Sequence, residues 1–326
     1  MKAVSLLSGG LDSQIAICLI KQQGIEVIAV NFKTPFFGAN ERTRRAAKDL
    51  GVELHIINPG QEYMEVLNNP VYGYGKNLNP CIDCHAFMLR KAGQFMREID
   101  ASFLITGEVL GQRPMSQNKT SLNVVEKLSG LRGLIVRPLS AKLLSPTIPE
   151  NDGWIDRDKL LDISGRGRTR QMDLAQDFGI TDYPSPAGGC LLTEPAFARR
   201  LKIYLDMNPD VPIDHLEVLK AGRHFYLGEN NLLIVGRNQS DNEKLAEIAL
   251  PQDYLLRVID HPGPTGLLRP AAEEDVNMNE AASIVARYSD AKTKDLARVK
   301  VYHTGEEDSA YFLDVVPGIP EQISPV

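Results

Sequence analysis

Along the first half of the chain, short apolar runs alternate with segments of helical spacing. Lys2 to Leu7 is apolar and breaks at Ser8-Gly9-Gly10; Asp12 to Gln22 then carries Ile15, Leu19 and Ile20 at helical intervals, and Gly24 closes it. Glu26 to Phe32 (EVIAVNF) has the β-branched density of a buried strand, Asn40 to Leu50 is a charged amphipathic helix, and Val52 to Ile57 is the next strand. A helix over Cys84 to Glu98, a strand over Ser102 to Thr106 and a short strand at Leu134 to Val136 continue the alternation. These intervals predict right-handed βαβ units and an α/β fold with a doubly wound parallel sheet. Ligands of such sheets sit at the carboxyl ends of the strands, near a topological switch point.

After a short helical stretch at Asp173 to Gly179, the segment Tyr183 to Gly189 (YPSPAGG) reads as a linker or a functional loop, because it ends on Cys190. The pattern then changes. Pro195 to Met207 is helical, Phe225 to Leu227, Leu232 to Val235 and Leu255 to Ile259 read as strands, and helices fall near Asn242 to Ala249 and Glu280 to Tyr288. This is a smaller α+β domain, so the expected division is 1–193 and 194–326. Neither a repeat nor a low-complexity tract is found.

Composition narrows the class. With 43% hydrophobic and 24% charged residues, the 326-residue chain has the balance of a soluble globular protein. Its apolar runs all fall short of the ~18 residues a membrane span needs, and Met1 to Leu7 is too short for a signal peptide. Four cysteines without such a signal make no disulfide framework; they point to a reducing cytoplasm and to metal or redox chemistry. The net charge of -6 is unevenly spread: residues 1–193 hold 22 Lys and Arg against 20 Asp and Glu, residues 194–326 hold 14 against 22. An acidic second half gives no surface-wide support for nucleic-acid binding, so any RNA contact must come from local basic patches.

The string Ser8-Gly9-Gly10-Leu11-Asp12-Ser13 stands between a buried strand and a helix. Glycines allow a tight turn and close approach of the backbone to an anion, and the helix N-terminus offers unpaired N–H groups. Ser8 and Ser13 add hydroxyls, and Asp12 makes sense beside a pyrophosphate if it holds Mg²⁺. The competing reading is an ordinary strand-to-helix turn with Ser or Asp as N-cap. Cys81-Ile82-Asp83-Cys84 follows Asn79-Pro80 at a helix start, and Cys190 closes Pro186-Ala187-Gly188-Gly189-Cys190. A cysteine at a helix N-terminus is expected to have a lowered thiol pKa and a thiolate ready for attack or ligation. Cys18, between Ile17 and Leu19, reads as a small buried apolar residue.

SGGLDS resembles the pyrophosphate loop of the PP-loop ATP pyrophosphatases, the adenine-nucleotide alpha-hydrolase superfamily, and lacks the Gly-Lys-Ser/Thr of a Walker A loop. The resemblance implies cleavage of ATP between its α and β phosphates and adenylation of a carbonyl oxygen. Asn79-Pro80-Cys81-Ile82-Asp83-Cys84 is similar to a segment of the tRNA 2-thiouridine synthetases, with Cys84 on their shared cysteine. Thr106-Gly107-Glu108-Val109-Leu110-Gly111-Gln112, Ser116-Gln117 and Arg137-Pro138-Leu139 look closer to the tRNA 4-thiouridine synthetases (ThiI). Membership in this sulfurtransferase group would make Ser8, Gly9, Gly10, Leu11, Asp12, Ser13 and Gly107 nucleotide-binding residues, and Asp12, Cys84 and Cys190 catalytic. Cys81, Cys84 and Cys190 match the ligands of the iron–sulfur-dependent thiolases, where three thiolates leave one iron of a [4Fe–4S] cluster open to sulfide. Without a cluster, Cys190 or Cys84 would bear a persulfide and the partner cysteine would resolve it.

The implied cofactors are therefore ATP, Mg²⁺ and a [4Fe–4S] cluster. The implied partners are tRNA and a sulfur donor, either sulfide or a persulfide from a cysteine desulfurase; no membrane is involved, and a homodimer is left open. Since SGGLDS stands at residues 8–13, neither the RNA-binding extension before it nor a rhodanese-like segment after it is expected. Ala221-Gly222-Arg223-His224-Phe225, Val235-Gly236-Arg237-Asn238, Asn242-Glu243-Lys244-Leu245 and Gly263-Pro264-Thr265 resemble an NFACT-R type of RNA-binding domain. Two other functions stay open: an amide- or C–N-forming pyrophosphatase with structural zinc cysteines, and a non-catalytic RNA-binding protein.

Four weaker features complete the reading. His85 is a partly exposed helix histidine or a ligand or proton donor, and Glu108 polarises a neighbour or caps a helix. Arg42, Arg44 and Arg45 form an exposed helix face. Arg166, Arg168 and Arg170 either hold tRNA phosphates or make a solvated turn.

Overall fold

The computed structural model describes residues 1–185, 189–228, 230–271 and 276–326. These fall into two compact units, Met1–Thr193 and Glu194–Val326.

In the first unit, β1 (Lys2–Leu6), α1 (Leu11–Lys21), β2 (Glu26–Phe32), α2 (Glu41–Asp49) and β3 (Leu54–Ile57) follow the expected alternation. Then come α3 (Glu62–Asn68), α4 (Cys81–Glu98), β4 (Phe103–Ile105), α5 (Lys119–Ser129), β5 (Ile135–Val136), the short α6 (Ile148–Asn151) and α7 (Thr169–Asp177). The sheet is wholly parallel, in the order β3-β2-β1-β4-β5, with Val4 opposite Ile28 on one side and Leu104 on the other. Strand residues alternate between two cores. Ala3, Val27, Phe103 and Ile105 meet Ile15, Ile17 and Ile20 of α1 on one face. Val4, Val30, Leu104 and Ile135 meet Leu89 and Ala92 of α4 on the other. Each fully buried aliphatic side chain contributes about 1.5–3 kcal/mol. With β1 between β2 and β4, the chain reverses direction of winding at β1, and the carboxyl ends of β1 and β4 form the switch point.

In the second unit, α8 (Pro195–Met207) precedes β6 (Arg223–Leu227), β7 (Asn231–Val235), α9 (Gln239–Ile248), β8 (Tyr254–Val258), β9 (Thr265–Arg269), α10 (Met278–Arg287), β10 (Ala297–His303) and β11 (Tyr311–Val315). The strands form one antiparallel sheet, β11-β10-β8-β9-β7-β6, and Ala281, Ile284 and Val285 of α10 fill its core with Phe225, Leu256, Leu268 and Val299. Gly266 is required there, since a Cβ would stand 2.4 Å from a Val285 methyl. The described residues contain no helix long and apolar enough to cross a membrane.

Candidate active site

The glycine string forms the turn from β1 into α1. Gly9 adopts φ +76°, open to glycine at low cost, and Gly10 is the N-cap residue with no side-chain cap on the helix. The N-cap reading of Ser or Asp is thereby corrected: Ser8 and Ser13 bond to each other (3.2 Å), Ser8 Oγ accepts from Gly10 N–H (3.2 Å), and Ser13 Oγ donates to Gly10 O (2.8 Å). Leu11 is buried in the core, so only its backbone can face a ligand. Asp12 Oδ2 accepts from Gln112 Nε2 at 3.1 Å, while its Oδ1 is shut off from solvent without a hydrogen-bond partner among the described residues. Gly107, directly after β4, packs on this turn so closely that a Cβ would stand 2.5 Å from Ser13 N and 2.7 Å from Asp12 C. The two loops at the switch point thus form one backbone surface.

Tyr63 and Phe36 link the surroundings of Cys84 and Cys190, which come from distant places in the chain. Cys81 is the first residue of α4, and Asn79 Nδ2 donates to its Sγ at 3.1 Å. Asp83 folds the preceding segment onto the helix by accepting from Val71 and Tyr72 N–H, both at 3.0 Å. Cys84 is buried, and the Tyr63 hydroxyl of α3 donates to its Sγ at 3.2 Å. Tyr63 in turn packs against Phe36 and Phe37, with ring centroids 5.8 and 5.6 Å away. That loop also seats the third cysteine: Leu191 N–H donates to Phe36 O (2.9 Å), and Asn77 Nδ2 donates to Thr193 O (2.7 Å). Pro186, Ala187 and Gly188 of the Cys190 loop lie outside the described residues.

Burial sets the state of two of the thiols. Burial pushes the Cys84 thiol far above its ordinary value, beyond what the Tyr63 hydrogen bond offsets, and the charges of Cys190 and Cys81 push it further. Burial also pushes Cys190 up to about 11, with Cys81 adding to it while Leu192 N–H, Arg113 and Thr193 N–H pull the other way. The expectation of a lowered thiol at the helix start is therefore reversed for Cys84, because desolvation outweighs the helix N-terminus. Among the described residues, no three His, Cys, Asp or Glu side chains are grouped to hold a metal ion.

A buried ion network lies next to Cys84. Glu108 Oε1 pairs with His85 Nδ1 at 3.1 Å, and its Oε2 accepts from Arg137 Nε (2.9 Å) and Thr106 Oγ1 (3.1 Å). Arg137 NH1 continues to Glu126 at 3.3 Å. Burial would raise the Glu108 pKa, but Arg137 and His85 overcome it and hold it at about 2. Asp182 ties the other side: its carboxylate meets Arg42 (3.1 Å) and Arg45 (3.3 Å) of α2, and its carbonyl accepts from Gln14 of α1 (3.1 Å).

Comparison with known proteins matches residues 1–142 to the family model "Thiamine biosynthesis protein (ThiI)" and residues 222–324 to the "NFACT protein RNA binding domain". The first unit thus resembles the ThiI family over residues 1–142. Among curated relatives, a "Probable tRNA sulfurtransferase" of Thermococcus kodakarensis is 29% identical over 192 residues, which is 56% of this chain and 45% of that protein. A "tRNA-specific 2-thiouridylase MnmA 1" of Fusobacterium nucleatum is 35% identical over 105 residues, 31% of this chain and 29% of the relative. The chain thus spans less than half the length of either. A solved 4-thiouridine synthetase–RNA complex with bound ATP matches with a TM-score of 0.40 and 21% identity, covering 67% of this chain and 52% of that one.

Within the first unit, local sequence missed three things. The Glu108–Arg137 pair joins residues on different strand ends, and only the charged residues in the otherwise apolar stretches at 108 and 137 hinted at it. His85 is committed to Glu108 and is not a free helix histidine. Arg42 and Arg45 are not merely an exposed face, because both hold Asp182.

Proposed function

We propose that this chain is an ATP-dependent tRNA uridine thiolase. The uracil carbonyl oxygen attacks the α-phosphorus of ATP and expels pyrophosphate; sulfur then forms its bond to the activated carbon as the C–O bond breaks and AMP leaves. The observation that supports the reading is that Gly107 packs on the Asp12–Ser13 turn while the next residue, Glu108, pairs with His85, the neighbour of Cys84. Sulfur chemistry and phosphate chemistry are thereby joined through a few residues. Support also comes from the ThiI match, the RNA-binding family description of the second unit and the tRNA-modifying names of the relatives.

In this reading the open N–H groups at the start of α1, with Ser8 and Ser13, cradle the pyrophosphate and stabilise charge as it develops. The orphaned Asp12 Oδ1 fits Mg²⁺, a hard cation that binds carboxylate and phosphate oxygens together. Gly107, without a side chain, lets the β4 end pack directly on the turn and hold its backbone in place. The donor set of Cys81, Cys84 and Cys190 fits a [4Fe–4S] cluster by its chemistry, three sulfurs and no nitrogen or oxygen. When bound, such a cluster supplies an iron with an open position for sulfide. We favour it over a persulfide on Cys190 or Cys84 because Cys81 has no task in a two-cysteine scheme. The reaction is assigned to a reducing cytoplasm, with sulfide or a desulfurase-derived persulfide as donor, in a monomer or homodimer.

The test is thiolation of bulk tRNA by anaerobically purified protein with ATP and sulfide. Cys190→Ala is expected to abolish thionucleoside formation, read by nucleoside mass spectrometry, while ATP still binds. Undiminished thiolation in that variant removes the proposal. Iron and acid-labile sulfide in the purified protein favour the cluster; one zinc and neither of these favours the C–N-forming alternative.

A further inference from the structure

The run Gly165-Arg166-Gly167-Arg168 precedes α7, and Tyr183-Pro184-Ser185 follows it after the helix has returned. These two segments face each other across a cleft of about 440 Å³ lined by Arg166, Arg168, Met172, Tyr183, Pro184 and Ser185. Both walls are tied to the phosphate turn. On the arginine side, Gly165 N–H donates to Leu110 O at 2.7 Å, and Gln112, two residues on, holds Asp12. On the tyrosine side, Asp182 accepts from Gln14 of α1, whose Nε2 also donates to Gly9 O at 3.2 Å.

The charges in the cleft are unbalanced. Arg170 is neutralised by Asp162 at 2.8 Å, and Asp182 is occupied by Arg42 and Arg45. Arg166 and Arg168 make no ion pair among the described residues, and Arg168 Nε is closed off from solvent without a partner there. A buried guanidinium N–H left unmatched costs stability unless a ligand supplies an acceptor. Tyr183 adds an aromatic ring to the same cleft, and Met172, half exposed, adds an apolar wall.

Two cations with nothing to neutralise them, one aromatic face and a volume suited to a single nucleotide residue define an RNA-strand subsite. We propose that this cleft holds one nucleotide of the RNA substrate next to the reacting position, its phosphodiester on Arg166 and Arg168 and its base against Tyr183. This rests on the thiolase reading and deepens it by naming where the strand enters. An RNA contact of this kind is local, as the near-neutral charge of the first unit requires.

The experiment measures binding of bulk tRNA to the full chain over a range of salt, alongside ATP binding without RNA. Arg166→Gln/Arg168→Gln is expected to weaken tRNA binding about tenfold or more and to flatten the log K against log salt slope by roughly 1.5. Arg166→Glu, at an exposed position, is expected to act in the same direction without touching a buried group. Tyr183→Leu keeps bulk but loses the ring face, and is expected to weaken binding about tenfold with the slope unchanged. Unaltered affinity and slope in the double variant, with tRNA still bound by the unsubstituted protein, overturns the cleft assignment alone. A loss of ATP affinity in place of tRNA affinity overturns it too, since the cleft would then belong to the nucleotide. If the unsubstituted protein binds no tRNA, both this inference and the thiolase reading fall.

Discussion

Replacing Glu108 by Gln removes the charge at the centre of the network while keeping its size. The structure permits two independent magnitudes. Breaking a buried ion pair costs about 3–5 kcal/mol when the partner charge stays behind, and here Arg137 and Glu108 are 5% and 9% exposed. Glu126 remains beside Arg137 and offsets part of that loss, so the lower end applies. Separately, holding the carboxyl at about 2 against an ordinary 4.5 corresponds to about 3 kcal/mol by linkage. The sign follows from a depressed carboxyl: its stabilisation is fully present above the unfolded value and is lost as the pH falls through the folded one. The wild type should therefore exceed Glu108→Gln by about 3 kcal/mol at pH 7 and by roughly half that at pH 3. Trp154, the single tryptophan, packs against Phe103 in the first unit, so its fluorescence in urea reports that unit's unfolding. A difference below about 1 kcal/mol at pH 7, or one that does not shrink toward pH 3, would refute the account of this network.

Gly107→Ala places a methyl where Ser13 N stands 2.5 Å away, so the turn must shift; ATP affinity is expected to fall at least about tenfold, and unchanged affinity by calorimetry would show the contact to be unimportant. In the second unit, Asp253→Ala strands Arg269, whose Nε and NH2 donate to it at 2.9 and 2.7 Å deep in the domain. It is expected to lose about 3–5 kcal/mol, read as faster hydrogen exchange across β8 and β9, and undisturbed exchange there would contradict the assignment.

What could be read from the chain was what depends on near neighbours. SGGLDS after an apolar run identified the turn, and β-branched density identified β1 and β2, because both signals lie within a few residues. The parallel α/β sheet and the separate α+β pattern followed from their spacing. α5 was missed because Lys119–Ser129 is mostly polar and its N-cap, Asn118 accepting from Ser121 N–H at 2.9 Å, looks like any turn residue. β10 was missed although Ala297–His303 alternates strictly at first, because charged Arg298 and Lys300 on the outer face dilute the apolar signal. The thiol pKa values were misjudged for a different reason. Helix position is local, whereas burial is decided by Tyr63, Phe36 and the Cys190 loop, all distant in sequence.

That contrast explains how one region holds an ionised acid beside protonated thiols. Burial acts on Glu108 and on Cys84 alike, penalising the charged form of each. What differs is the company. Glu108 faces the Arg137 guanidinium, His85 and a threonine hydroxyl, so the anion is matched by donors and stays charged. Cys84 has one neutral phenol hydroxyl and two further thiols, each of which would repel its charge. The fold therefore favours the neutral form of Cys84 and Cys190, and places Cys84 one residue from a network whose acid is matched by donors.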